Sequence, residues 1–109
     1  MKLCVCIVQD RDRNRLHDEL VSAGYKFTVI GSTGGFLREG NTTFMVGCPA
    51  EDLTNLTEII RQNSSARDQI VNVAPFEASP AGAFMPSPVS VKVGGAVVFV
   101  LPVEEFHRF

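Results

Sequence analysis

Residues 32–47 read STGGFLREGNTTFMVG, and the fold turns on the residues after the glycines. Gly35 to Thr42 nearly matches the phosphate-gripping loop G-x-x-x-x-G-K-[ST], with Asn41 in the place of the lysine. Such a loop joins a strand to a helix, whose N-terminus helps hold the phosphates while the lysine neutralises them. Here the segment after Asn41 is TTFMVG, which is strand-forming by its β-branched and aromatic content. The glycines therefore join two strands, and a nucleotide-hydrolysing loop is excluded. Two readings stay open. A plain turn accounts for Gly34, Gly35 and Gly40 but poorly for the adjacent Phe36 and Leu37. A nucleotide site uses more residues. The Gly-Gly N–H groups form a nest for phosphate, Phe36 offers a stacking face, and the Asn41 amide matches an adenine edge. Arg38 is the nearest cation.

The flanking segments extend the pattern. Lys2 to Gln9 (KLCVCIVQ) is apolar on both faces and reads as a central strand. Asp10 or Asp12 is expected to cap the next helix, whose apolar stripe is Leu16, Leu20 and Val21 and whose stop is Gly24. Lys26 to Ser32 is a second strand and Thr42 to Gly47 a third. After Pro49, Leu53, Leu56 and Ile60 form a second helical stripe. Gln69 to Ala74 is a fourth strand. The order strand–helix–strand, loop, strand–helix–strand predicts an α+β fold, ferredoxin-like βαββαβ, with both helices on one face of an antiparallel sheet. VSVKV and AVVFVL flank Gly94-Gly95, which predicts an additional C-terminal β-hairpin. Between the fourth strand and this hairpin, Pro75 to Pro88 is a long loop in which Phe76, Phe84 and Met85 serve either as a lid or as anchors. The tail ends on Phe106 and Phe109, which are expected to dock. Two helices cover only one sheet face, so the other apolar face is expected to be buried by self-association.

Bulk composition narrows the classes. The chain has 109 residues, 45% of them hydrophobic, the size of a single domain spanning 1–109. Its formal charge is -2, which argues against a nucleic-acid polymer as partner. Cys4, Cys6 and Cys48 read as buried hydrophobes in a reducing cytoplasm. No zinc-finger spacing and no membrane-length apolar run occurs. Asp10 and Asp12 read as caps and not as paired acids, His17 as solvated, and His107 as a docking or solvent residue.

TGGFLREGNTTF (Thr33–Phe44), IVQD (Ile7–Asp10) and VGGAVVFVLPVEEFHRF (Val93–Phe109) resemble the PII-like cyclic di-AMP receptor family over essentially the whole chain. The resemblance implies a homotrimeric, non-catalytic signal-transduction protein. Its ligand would be cyclic di-AMP, held in clefts between subunits, with no cofactor and an unknown downstream protein partner. It implies ligand contacts at Lys26, Thr28, Gly35, Phe36, Leu37, Asn41, Gly47, Phe99 and Arg108. Lys26 stands where the family has arginine, and Arg108 where it has glutamine. An ammonium at 26 replaces a planar, bidentate group. Ligand binding would order the loops at 32–41 and 75–88 for the partner. Two alternatives stand beside this one. A small phosphatase would use Arg38 and Asn41, and a single-stranded RNA binder would need aromatic groups on the central strands, where Lys2 to Gln9 has none.

Overall fold

The computed structural model describes residues 1–32, 40–73 and 87–109. In chain order it contains β1 (Lys2–Gln9), a 3-10 turn (Asp10–Asp12), α1 (Arg13–Ser22), β2 (Phe27–Ser32), β3 (Asn41–Cys48), a second 3-10 turn (Ala50–Asp52), α2 (Leu53–Ser64), β4 (Arg67–Val73), β5 (Ser87–Val93) and β6 (Ala96–Pro102). The main sheet is antiparallel, in the order β2-β3-β1-β6. The double-sided apolar pattern of β1 is explained by its interior place. Cys4, Cys6 and Val8 are fully buried beneath the helices, while Leu3, Val5 and Ile7 are half-buried on the other face. Leu16 and Leu20 from α1 and Leu56 and Ile60 from α2 close the core over Phe44 and Val46. Spacings of four put each helical pair on one stripe. The fold is α+β, ferredoxin-like and PII-like, as expected.

The hairpin is composed differently from the expectation. β4 leaves the sheet and pairs antiparallel with β5 in a separate two-stranded ribbon, and β6 takes the edge beside β1. Gly94 and Gly95, at φ +79 and +106, swing the chain from ribbon to sheet and do not fold β5 onto β6. Composition explains the exchange. AVVFVL is apolar at every position and suits contact with the two-faced β1, whereas RDQIVNV and SPVSVKV are interrupted by polar groups. The ribbon draws the molecule out. Its radius of gyration is 18.8 Å, against about 13 Å for a compact chain of this length.

Ribbon and sheet meet at one junction. The Gly95 N–H donates to the Ser64 carbonyl at 2.6 Å, and the Gly94 N–H donates to Gln9 Oε1 at 2.6 Å. Asp12, 1% exposed, accepts from Arg67 Nη2 at 2.8 Å and from Arg15 Nη2 at 3.0 Å. Asp10 accepts from Thr42 Oγ1 at 2.6 Å, and its N–H donates to the Gly40 carbonyl at 2.9 Å. Neither aspartate caps α1 through its side chain. The capping expectation is corrected: both carboxylates are drawn to better donors, a hydroxyl and two guanidinium groups. His17 is half-exposed as expected, but it also meets Phe27 edge-on at 5.3 Å.

All three thiols are free and buried, as the sequence indicates. Burial pushes Cys4 up to about 11 and Cys6 up to about 12, each with a smaller contribution from a neighbouring thiol. Cys48 is raised too, first by burial and then by Asp52. A thiol whose pKa is raised on folding stabilises the fold below its ordinary titration near 9.0, and that contribution is lost as pH climbs through the folded value. Stability in urea melts should therefore fall between about pH 9 and 12. Iodoacetamide at about pH 8 should label no thiol in the native protein and all three in urea; native labelling of Cys6 would contradict the packing. At the junction, a Cβ on Gly94 would fall against Arg67 Nη1 and 2.8 Å from the Ser65 carbonyl oxygen. Gly94→Ala should therefore lower the unfolding free energy by more than about 1 kcal/mol, whereas Gly31→Ala, whose Cβ meets nothing within 4 Å, should be far milder.

Candidate functional site

Alternation along the strands sorts the residues by face. With Phe44, Val46 and Cys48 turned toward the helices, Thr43, Met45 and Gly47 of β3 face away from them. Register extends this open face sideways. Thr28, Met45, Val5 and Phe99 lie in one row across the sheet. Ile30, Thr43, Ile7 and Val97 form the next row, and Leu3 sits between Gly47 and Leu101. Phe99 and Leu101 are 43% and 46% exposed, so apolar surface reaches the β6 edge.

A cavity of about 560 Å³ opens on this face at the start of β2 and the end of β3. Lys26, Thr28 and Gly47 line it together with apolar Leu3, Met45 and Phe106. Three of the residues expected at the site are thus brought together. Lys26 neighbours Gly47 one step beyond the Phe27–Val46 pairing. The cavity combines one ammonium, one hydroxyl and a largely apolar wall, which suits a ligand with a flat apolar part and an anionic part. A groove of about 340 Å³ between α2 and β6 contains none of the expected residues.

The remaining expected residues lie elsewhere. Asn41 is 4% exposed at the start of β3, about 20 Å along the strand from Gly47. The segment entering it from Gly40 is anchored by the Asp10 contacts, and the chain runs on from Asn41 into a strand, as the sequence predicts. Phe99 is on β6, about 14 Å across three strand spacings from Thr28. Arg108 is exposed on the tail, beyond the cavity wall. Gly35, Phe36, Leu37 and Arg38, like Phe76, Phe84 and Met85, lie outside the described residues.

Sequence reasoning assigns Phe106 to docking and not to a site. Phe106 enters the cavity wall because the Val103 N–H donates to the Met1 carbonyl at 3.2 Å, holding the tail beside the start of β1. An aromatic residue in a polar tail was the available signal. Phe109 does not dock on the core but stacks on His107, with centroids 6.0 Å apart and rings 9° from parallel. Among the described residues, no cluster of His, Cys, Asp and Glu could hold a metal ion. No described helix is long and apolar enough to cross a membrane.

A family model described as cyclic-di-AMP receptor matches residues 1–109. A solved structure described as a functionally unknown protein from Pediococcus pentosaceus is 41% identical to the chain. It covers 99% of this chain and 96% of its own, with a TM-score of 0.79.

Proposed function

The chain belongs to the cyclic-di-AMP receptor family, and from that membership we propose that residues 1–109 form one non-catalytic receptor domain that binds cyclic di-AMP in the cytoplasm and signals to a protein partner. The carrying observation is the family match over the full sequence together with a cavity that gathers Lys26, Thr28 and Gly47. A cyclic dinucleotide presents two flat purines and two phosphates. It needs apolar walls, local positive charge and a group that reads the adenine edge. The cavity supplies the first two, and Asn41 supplies the third at the far end of β3.

That separation supports a site shared between subunits, which we take to be those of a homotrimer. Asn41 and Phe99 lie about 20 and 14 Å from the cavity residues, so among the described residues a single chain does not bring these two to Lys26, Thr28 and Gly47. Subunits meeting through the open sheet face would bring Asn41 or Phe99 of one to Lys26, Thr28 and Gly47 of the next. The exposed apolar Phe99 and Leu101 support burial of that face in an assembly. Gly35, Phe36 and Leu37, close in sequence to Asn41, would join the same cleft, and Arg108 would add charge at its rim. Ligand at the cleft would order the loops at 32–41 and 75–88 only through a difference in affinity between their states. That difference is what a partner would sense.

Titration calorimetry with cyclic di-AMP, beside cyclic di-GMP, AMP and ATP, tests the ligand. Cyclic di-AMP should bind with a Kd near or below micromolar, about -8 kcal/mol, and should not be turned over; no heat with it, or sustained hydrolysis, would sink the reading. Light scattering should give three subunits. Lys26→Arg should hold or tighten binding by regaining bidentate contact, while Lys26→Ala and Asn41→Ala weaken it without dissociating the assembly. Gly47→Ala should weaken binding without lowering the melting midpoint, because its Cβ would meet no atom of the chain within 4 Å.

A further inference from the structure

Phe106 is 67% exposed, takes no part in the core, and yet lines the same cavity as Lys26, Thr28 and Gly47. What gives the ring significance is the missing side chain near it. Gly47 has no positive φ, so its backbone does not require glycine. A Cβ there would meet nothing within 4 Å, so crowding does not require glycine either. Within a strand, glycine costs about 0.5–1 kcal/mol against alanine. Fold stability alone would place a side chain at this position. The volume left empty is cavity volume, bordered by Leu3 on one side and Lys26 on the other.

We infer that Phe106 is the aromatic wall of a purine slot whose floor is the bare backbone at Gly47. One adenine of the cyclic dinucleotide stacks on the ring, and Lys26, on the same rim, faces the adjoining phosphate. This rests on the proposed ligand class and deepens it, since it assigns a base-stacking role to a tail residue outside the expected contact set. The chemistry is specific: a planar base gains from a flat π-face and from a floor without a side chain. An aliphatic wall of similar bulk supplies burial but no stacking. The bond from the Val103 N–H to the Met1 carbonyl sets where the tail starts, and so where the ring reaches.

The chain has no tryptophan, so Phe106→Trp installs a single reporter. Cyclic di-AMP should quench its emission as the site fills. Phe106→Ala should bind roughly 10- to 100-fold more weakly, and Phe106→Leu should not restore the loss. A purely packing role predicts the reverse, rescue by leucine with a lowered melting midpoint in the alanine variant. If the parent protein binds cyclic di-AMP while Phe106→Ala binds within about twofold, or leucine rescues, or the indole emission stays constant, the slot is wrong and the ligand reading stands. If the parent binds no cyclic di-AMP, the ligand reading fails. The slot is then judged by AMP and ATP on Phe106→Trp: quenching retains it, and its absence overturns it.

Discussion

The bond from the Gly95 N–H to the Ser64 carbonyl fixes where the chain re-enters its sheet, and the geometry of the open face depends on it. β6 begins at the next residue, with Ala96 opposite Val8, and runs to Pro102 opposite Lys2. A slip of one residue would turn Val97, Phe99 and Leu101 toward the helices and send Ala96 and Val98 out of the core. The tail would then leave from a different place and the cavity would lose a wall. β4 and β5 form an excursion between Ser64 and Gly95, whose backbones meet, so the sheet registers do not pass through the ribbon.

The charges around this junction act on position more than on stability. Asp12 is buried, but its arginine partners are 52% and 41% exposed, so their attraction is softened by water. Their value is directional, since a carboxylate gripped from α1 and from the first residue of β4 leaves the ribbon base little freedom. The turn that carries Asp12 also carries Asp10, which holds Thr42 and Gly40 at the entry to β3. The three residues of this turn thus tie the strand that starts with Asn41 to the root of the ribbon, through the Asp10 carboxylate on one side and the Arg67 guanidinium on Asp12 on the other.

Much of the fold is readable from residue order. The two-faced apolar run at Lys2–Gln9 announces an interior strand, and the helical stripes name Leu16, Leu20, Leu56 and Ile60 as core. The strand character of TTFMVG, with Asn41 in the place of the lysine, removes the P-loop reading. Gly94-Gly95 misleads because two adjacent glycines signal a tight turn as readily as a swing between sheets. Only the partner available to each strand separates the two. Asp10 and Asp12 mislead for a similar reason: capping is a local preference, and it yields when a hydroxyl or guanidinium arrives from 32 or 55 residues away. The site is legible residue by residue only through resemblance to a family. Spacing along the chain could not reveal that Lys26, Thr28 and Gly47 share a cavity while Asn41 sits at the other end of the strand.

Gly47 has a consequence for how such a protein can fail. The systems that clear damaged proteins respond to the unfolded fraction, which tracks stability. A Cβ at 47 meets no atom of the chain within 4 Å, so an alanine there would escape that surveillance. On the proposed site, the altered protein would persist at full abundance, correctly folded and deaf to its signal. On that reading, position 47 is guarded by selection on signalling alone, whereas the junction at Gly94 is guarded by folding itself.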